Sequence, residues 1–482
     1  LTTSFDVVIV GAGLSGINAA YRLQERCPDK TYAILEARDS MGGTWDLFRY
    51  PGVRSDSDIF TFGFGFKPWT GDKTLADGAE ILDYLREAAS ENGIDQHIRY
   101  GTKVLSADWS SPHQKWHLTI EADGRTSSID ARFLYLCCGY YRYDAGYTPD
   151  FADLGSFEGT FVHPQFWPED LEYADKNVVI IGSGATAVTM LPAMARTARH
   201  VTMLQRSATW ITPVPFRDKT AERLQSILPA KLAHSILRLR YATLRTVFYS
   251  YCRRNPEGAR KLLLELVTKM LDGHEDLVAE HFTPTYNPWE QRLCAAPGAD
   301  FFKAIRSGDA SVVSDRIDHF EPDGIRLVSG GKLEADVVIS ATGLQLLPAG
   351  GIEVSVDGRK IELNQTFLWR GAMVSGVPNL AICIGYTNSS WTLRSDIAAK
   401  LVCRLLRYMD RKNLASVTAS APNGMPRSPL FNLKSGYFQR AGDQFPAQGP
   451  RGSWRLYQNY FLDRMATRRG GFDRELQGQN VR

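Results

Sequence analysis

The sequence predicts an α/β fold built from two Rossmann-like dinucleotide-binding domains with an inserted helical subdomain. Three observations carry this. The apolar run Phe5–Val10 leads into Gly11-Ala12-Gly13-Leu14-Ser15-Gly16, and Ile17 to Gln24 then reads as a helix. The same order recurs at Asn177–Ile181, followed by Gly182-Ser183-Gly184-Ala185-Thr186-Ala187 and a helix to about Arg196. Between about Phe216 and His281 the β pattern disappears, and apolar residues fall at helical spacing among lysines and arginines. A lone glycine motif is a weak signal; a strand before it and a helix after it make it specific.

The bulk numbers agree. With 482 residues the chain should hold roughly three domains. Hydrophobic content of 44% and charged content of 23% are those of an ordinary globular protein. A net charge of +3, from 56 basic and 53 acidic residues, gives no general case for nucleic acid or a membrane surface. No apolar run is long enough for a transmembrane segment. The chain goes straight into a strand pattern with no basic-then-apolar leader, and its start at Leu1 rather than Met points to trimming upstream. The 7 cysteines are scattered and lack C-x-x-C spacing, so a reduced, cytoplasmic protein is expected. No His, Cys and carboxylate cluster has metal-ligand spacing, so no metal is expected.

In the first unit, Gly11 permits the tight turn, Gly13 lets a pyrophosphate approach the backbone, and Gly16 lets helix and strand pack closely. The helix N-terminus then faces phosphates. The second strand, Thr31 to Glu36, ends in a carboxylate placed for ribose hydroxyls. Gly42 and Gly43 follow, and would let a flat ring lie against backbone. Lys103 to Trp109 and Trp116 to Glu121 alternate like a small β-meander. Arg132 to Gly139 reads as the buried return strand, and Tyr140 to Asp150 as the crossover.

The crossover leads to Phe157-Glu-Gly159-Thr-Phe-Val-His163-Pro-Gln-Phe-Trp167-Pro168, whose prolines forbid a regular helix. His163 is the familiar acid–base type. Its place between two Rossmann units favours a conformational role, holding backbone by hydrogen bonds, over proton transfer.

In the second unit, the strand His200 to Gln205 ends without an acid, and Arg206-Ser207 follow. An acid there would bind a free 2′-hydroxyl, whereas an arginine suits the 2′-phosphate of NADP. Residues 221 to 271 then form the helical insertion, with a basic, aromatic stretch from Tyr241 to Arg254. A solvated basic face over a packed core is the favoured reading, and peripheral contact with anionic lipid the second. Asn287-Pro-Trp-Glu-Gln291-Arg292-Leu-Cys294 leads out of the insertion. Asp336 to Gly343 is a buried strand ending in Ala341-Thr342-Gly343. Asn379 to Ile384 is a final core strand, Asp396 to Met409 a helix, and the Pro/Gly-punctuated tail is expected to wrap the surface with a mobile active-site loop around Trp454.

Two of these stretches resemble the fingerprints of Baeyer–Villiger flavin monooxygenases (class B). One is Phe157 to Pro168, and its Trp167-Pro168 ending is similar to the ketone-oxidising group. The other is Gly42 to Asp56, with Gly-Gly-x-Trp, an aromatic-Pro-Gly and the final Asp. Within the family, Gly42 to Gly52, Gly182 to Thr189 and Tyr286 to Cys294 are most similar to the mycobacterial ethionamide-activating subgroup. The resemblance covers nearly the whole chain. It implies a two-dinucleotide-binding-domain flavoprotein with FAD in the first site and NADPH in the second. The implied division is 1–148 and 372–482 for the FAD domain and tail, 149–212 and 299–371 for the NADP domain, and 213–298 for the insertion.

By resemblance, Ser15, Glu36, Thr44, Trp45, Asp46, Leu47, Asp56 and the backbone of Val104 contact FAD. Arg54, Ser55, Asp56, Ser183, Gly184, Ala185, Thr186, Ala187, Val188, Thr189, Arg206 and Ser207 contact NADP. The implied reaction turns a ketone into an ester with O2, through a peroxide at the flavin C4a carbon, with S-oxidation of thioethers and thioamides as a side activity. That chemistry needs a fixed cation for the peroxide anion and the tetrahedral adduct. The resemblance gives this role to Arg292 and makes Asp56 its carboxylate partner. Many relatives carry a Lys before this Arg that helps hold NADP; this chain has Gln291.

Three alternatives stay open from the residues alone. One is a flavin monooxygenase that oxidises nitrogen or sulfur. Another is an NADPH–disulfide reductase, disfavoured by the absence of a redox C-x-x-C. The third is a non-catalytic flavin-binding redox sensor.

Overall fold

Val7, Val8 and Ile9 have no solvent exposure, because parallel strands covered on both faces must be apolar throughout. Each such side chain contributes roughly 1.5–3 kcal/mol on burial. The computed structural model describes residues 3–431 and 433–481. Strand Ser4–Val10 lies between Tyr32–Leu35 and Arg125–Leu136, parallel to both. Thr102–Ser110, Lys115–Ala122 and Arg125–Leu136 form an antiparallel meander on the same sheet. Leu380–Ile382 returns from the far end of the chain to pair with Arg125–Leu136.

Helix Leu14–Arg26 packs on helix Trp391–Arg411, the two forming much of one apolar core. An ion pair between Arg22 Nε and Asp396 Oδ1 at 2.7 Å joins them across 374 positions. The first domain is therefore built from both ends of the chain.

The second domain is a five-stranded parallel sheet in the order Thr160–Val162, Val337–Ser340, Asn177–Ile181, His200–Gln205, Ala310–Ser314. The Phe157–Pro168 stretch supplies its edge strand. It then breaks into the one-turn helix Pro164–Phe166, as its prolines require. His163 Nε2 bonds Gly343 O at 3.2 Å, and Nδ1 accepts from Gln165 N at 3.2 Å. The ring lies so close to Gly146 that a Cβ there would stand 2.2 Å from His163 Cε1. Gly146 ends the ladder Tyr141–Gly146 with Leu344–Leu346, where the chain passes between the domains. Burial lowers the His163 pKa, which keeps the ring neutral and matches an Nε2–H donor.

Helices Lys219–Ile227, Ala230–Arg254, Pro256–Met270 and Glu275–His281 form the insertion. A short parallel ladder between Ile211–Val214 and Cys294–Pro297 closes its base. The long helix Ala230–Arg254 clamps the first domain. His234 Nε2 donates to Phe64 O at 3.0 Å, and Arg238 donates to the carbonyls of Phe60, Thr61 and Gly63.

The return to the first domain comes earlier than residue 372. Strand Glu353–Val356 already pairs with Thr102–Ser110, because its Val354 fills the apolar layer under the meander. Among the described residues, no helix is long and apolar enough to cross a membrane.

Candidate active site

Both glycine turns open into one cleft of about 1380 Å³. That exceeds the roughly 300–1,000 Å³ of a single small-molecule site. Gly11, Gly13 and Ser15 line one end. Gly16 stands behind them, where a Cβ would lie 1.9 Å from Gly11 O, so only glycine lets this helix start against this strand. Glu36 is buried and accepts from Ala12 N at 2.7 Å and Arg38 N at 3.0 Å. Burial pushes its pKa up against the pull of those two amides. A carboxylate offers about four acceptor positions, so two remain for a diol.

Gly13 and Gly43 face each other: a Cβ on Gly43 would lie 3.2 Å from Gly13 Cα. This backbone-walled slot, with Thr44, Trp45 and Val104 beside it, fits a pyrophosphate-linked dinucleotide with a free ribose diol. Asp46 and Leu47 do not line the cleft. The Asp46 carboxylate is taken up by Arg38 at 2.5 Å, Ser40 at 2.5 Å and Arg49 at 2.8 Å, and Leu47 packs into the second domain's core. Asp46 is a support for the wall that Arg38 forms.

At the other end Gly182, Ser183, Gly184, Ala185 and Thr186 line the cleft. Ala187, Val188 and Thr189 do not; the helix Ala185–Met194 turns them into the core. Gly184 is exposed, and a Cβ there would meet nothing within 4 Å. Arg206 and Ser207 stand exposed on the rim, and Ser183 Oγ donates to Ser207 O at 3.0 Å. Arg316 joins this rim from the end of the neighbouring strand Ala310–Ser314. Its signal in the sequence was its place just past a parallel strand, the usual position for ligand contacts.

Asp56 and Arg292 lie between the two ends. Arg292 Nε is 3.2 Å from Asp56 Oδ2. Asp56 belongs to strand Arg54–Asp58, which the long helix fixes: Arg245 bonds Asp58 Oδ2 at 2.8 Å and Asp56 O at 2.9 Å. Ser55 is buried, its hydroxyl bonded to Ser57 O, while Arg54 pairs with Asp300 at 2.6 Å. Arg292 directly follows a tight turn in which Trp289 adopts φ +67°, a left-handed conformation that a bulky residue rarely takes.

Burial works against the Arg292 charge, but the Asp56 carboxylate beside it outweighs that, so the guanidinium pKa is raised. Burial likewise raises the phenols of Tyr140, Tyr141 and Tyr437, and Tyr50 is pushed up to about 12. A permanent cation therefore stands among protonated phenols.

The tyrosines were not anticipated. Tyr140 and Tyr141 follow Gly139 at a strand's C-terminal end, which is a general signal. Tyr437 had none. It belongs to residues 434–440 of the tail, held by Lys434 N donating to Glu290 O at 2.7 Å. This segment, rather than the loop around Trp454, borders the cleft. Trp454 packs at 6.2 Å against Phe367, away from the cleft.

The chain matches a family model described as flavin-binding monooxygenase-like over residues 73–239. A second model, an NAD(P)-binding Rossmann-like domain, matches residues 9–71. The chain is 50% identical over 477 residues to the FAD-containing monooxygenase EthA of Mycobacterium tuberculosis, covering 98% of this chain and 97% of that one. It is 47% identical over 472 residues to the probable FAD-binding monooxygenase AlmA of an Acinetobacter species, covering 97% and 95%. An oxidised steroid monooxygenase solved with NADP shares the fold, with a TM-score of 0.79 at 22% identity over 99% of this chain and 100% of that one.

Proposed function

The chain belongs to the FAD-containing flavin monooxygenases, and from that premise we propose that it is an NADPH- and O2-dependent Baeyer–Villiger enzyme. It inserts one oxygen beside a ketone carbonyl to give an ester, and oxidises the sulfur of thioethers and thioamides as a side activity. The observation that carries this reading is the Asp56–Arg292 pair between two nucleotide turns in one cleft.

Gly13, Gly43, Ser15 and Glu36 would hold FAD. Gly182 to Thr186, Arg206 and Ser207 would hold NADP. FAD reduced by NADPH supplies the electrons that activate O2. Arg292 supplies a positive charge with no proton to lose near neutral pH, aimed at oxygen that becomes anionic during insertion. Asp56 holds that guanidinium in place. Tyr140, Tyr141 and Tyr437 present neutral hydroxyls and apolar rings around it, which suits an uncharged ketone and keeps bulk water out.

The test is the Arg292→Ala variant, assayed with NADPH, air and a linear methyl ketone. It keeps its flavin and its reduction by NADPH, while ester formation falls by roughly 10²–10³-fold or more, the scale of losing a preorganised charge partner. Ester at near-wild-type yield would remove Arg292 from the chemistry. NADPH use by the wild type with hydrogen peroxide and no ester would move the assignment to nitrogen or sulfur oxidation.

A further inference from the structure

The long helix Ala230–Arg254 has two faces of different fate. Its inner face holds Ala233, His234, Leu237, Ala242 and Cys252, all buried. Its outer face presents Leu232, Ile236, Leu239, Leu244, Val247 and Tyr251, with exposures of 50%, 39%, 54%, 51%, 60% and 37%. These recur at helical spacing along one stripe, and Ile227, the last residue of the preceding helix, is 66% exposed. Single exposed apolar residues need no explanation, but a continuous row does.

The charge around this row is as uneven as its polarity. Residues 219–270 contain eleven Lys and Arg against three Glu, a net +8, whereas the whole chain carries +3. Several of these cations are committed inward: Arg240 to Asp218, Arg245 to Asp58 and Arg238 to backbone carbonyls. Arg223, Lys231, Arg253 and Arg254 are exposed, and none forms a salt bridge among the described residues. An apolar row flanked by free cations on one helix is the pattern that enters the headgroup region of an anionic bilayer.

We propose that the outer face of helix Ala230–Arg254 docks this protein on anionic lipid surfaces. The apolar row enters the interface, while Arg223, Lys231, Arg253 and Arg254 meet the headgroup phosphates. A protein partner would need its own acidic rim and apolar groove. A lipid surface supplies both the charge and the apolar layer along the row. The inner face of the same helix backs the cleft: Ala242 shares an apolar cluster with Tyr386, which lines it. Docking would bring the cleft wall within about 10 Å of the lipid, the width of one helix with its side chains. The inference does not depend on the reaction assigned above.

The test is flotation of the FAD-loaded protein with two kinds of vesicle, phosphatidylcholine alone and phosphatidylcholine with about a third phosphatidylglycerol. Wild type floats with the anionic vesicles and not with the neutral ones. Raising salt from about 0.1 to 1 M cuts the Debye length from about 10 to 3 Å and lowers the floated fraction. The pair Leu239→Glu with Val247→Glu, and separately Arg253→Glu with Arg254→Glu, each lower partitioning at least about ten-fold. Unchanged flavin content and melting temperature show that both variants are folded. Failure of the wild type to float at low salt overturns the proposal, as does flotation that neither pair of substitutions changes. If sedimentation shows a wild-type oligomer that the Leu239/Val247 pair dissolves while flotation persists, the row is covered by a second copy and the proposal fails.

Discussion

The two nucleotide turns share a pattern and differ in their surroundings. The first is enclosed. Ser15 and Gly16 are buried, Glu36 is buried, and Trp391 Nε1 donates to Ser15 Oγ at 2.8 Å from a helix nearly four hundred positions away. The second is open, with Gly184, Arg206 and Ser207 exposed at its mouth. The difference teaches that the same strand–turn–helix device serves two kinds of occupancy. An enclosed turn suits a group that stays through many cycles, and an open one suits a carrier that arrives and leaves. We therefore expect FAD to stay bound through gel filtration, and NADP to be lost.

The sharpest test exchanges the two glycines. Gly16→Ala places a Cβ against backbone oxygen and should cost more than about 3 kcal/mol, with loss of flavin and of soluble protein. Gly184→Ala points its methyl into open space, so it keeps the flavin and the melting temperature and only raises the KM for NADPH. Equal damage at both positions would break the comparison.

Acid should loosen the clamp on the first domain. His234, at the clamp on the first domain, has its pKa lowered to about 4 by burial and by Arg238. The unfolded value is about 6.5, so the unfolded chain binds the extra proton more readily between these limits. Stability from this group is complete above about pH 6.5 and is lost as pH falls toward 4, by about 3 kcal/mol at most. Melting temperature and flavin retention should fall together over that window, and much less in His234→Gln. A wild type equally stable at pH 4.5 and 7 would remove His234 from the account.

Arg206→Ala probes the open site, and its effect is smaller. Losing charge-assisted bonds of about 1.5–3 kcal/mol should raise the KM for NADPH by roughly 10–100-fold. NADH kinetics and flavin content should not change. Should NADH suffer as much as NADPH, Arg206 would not be reading a 2′-phosphate.

Both turns were legible in the sequence because each is local: an apolar run, three closely spaced small residues and a helix lie within about twenty positions. The helical insertion was legible from its change of period. Its role as a clamp on the other domain was not, because Arg238 and Arg245 look like any surface arginines until the carbonyls of Phe60 to Gly63 and the Asp58 carboxylate appear beside them. Asp56 and Arg292 are far apart in the chain, and only the family resemblance put them together. Glu353–Val356 carried no strand reading in the sequence, and no local pattern there says which sheet it will join. Tyr437 sits in a tail with no period, held by a backbone bond from Lys434 to Glu290 that leaves no mark on side-chain pattern.

The Arg22–Asp396 contact has a consequence for synthesis. At about 5–20 residues per second, the ribosome needs roughly 20–75 s to travel from one partner to the other. Throughout that interval the apolar face of helix Leu14–Arg26 lacks its cover, and before it ends all five strands of the inserted sheet have been synthesised. The domain whose sequence comes first is completed last. Its nucleotide turn is enclosed only once helix Trp391–Arg411 has emerged, and until then a chaperone has an exposed helix face to hold.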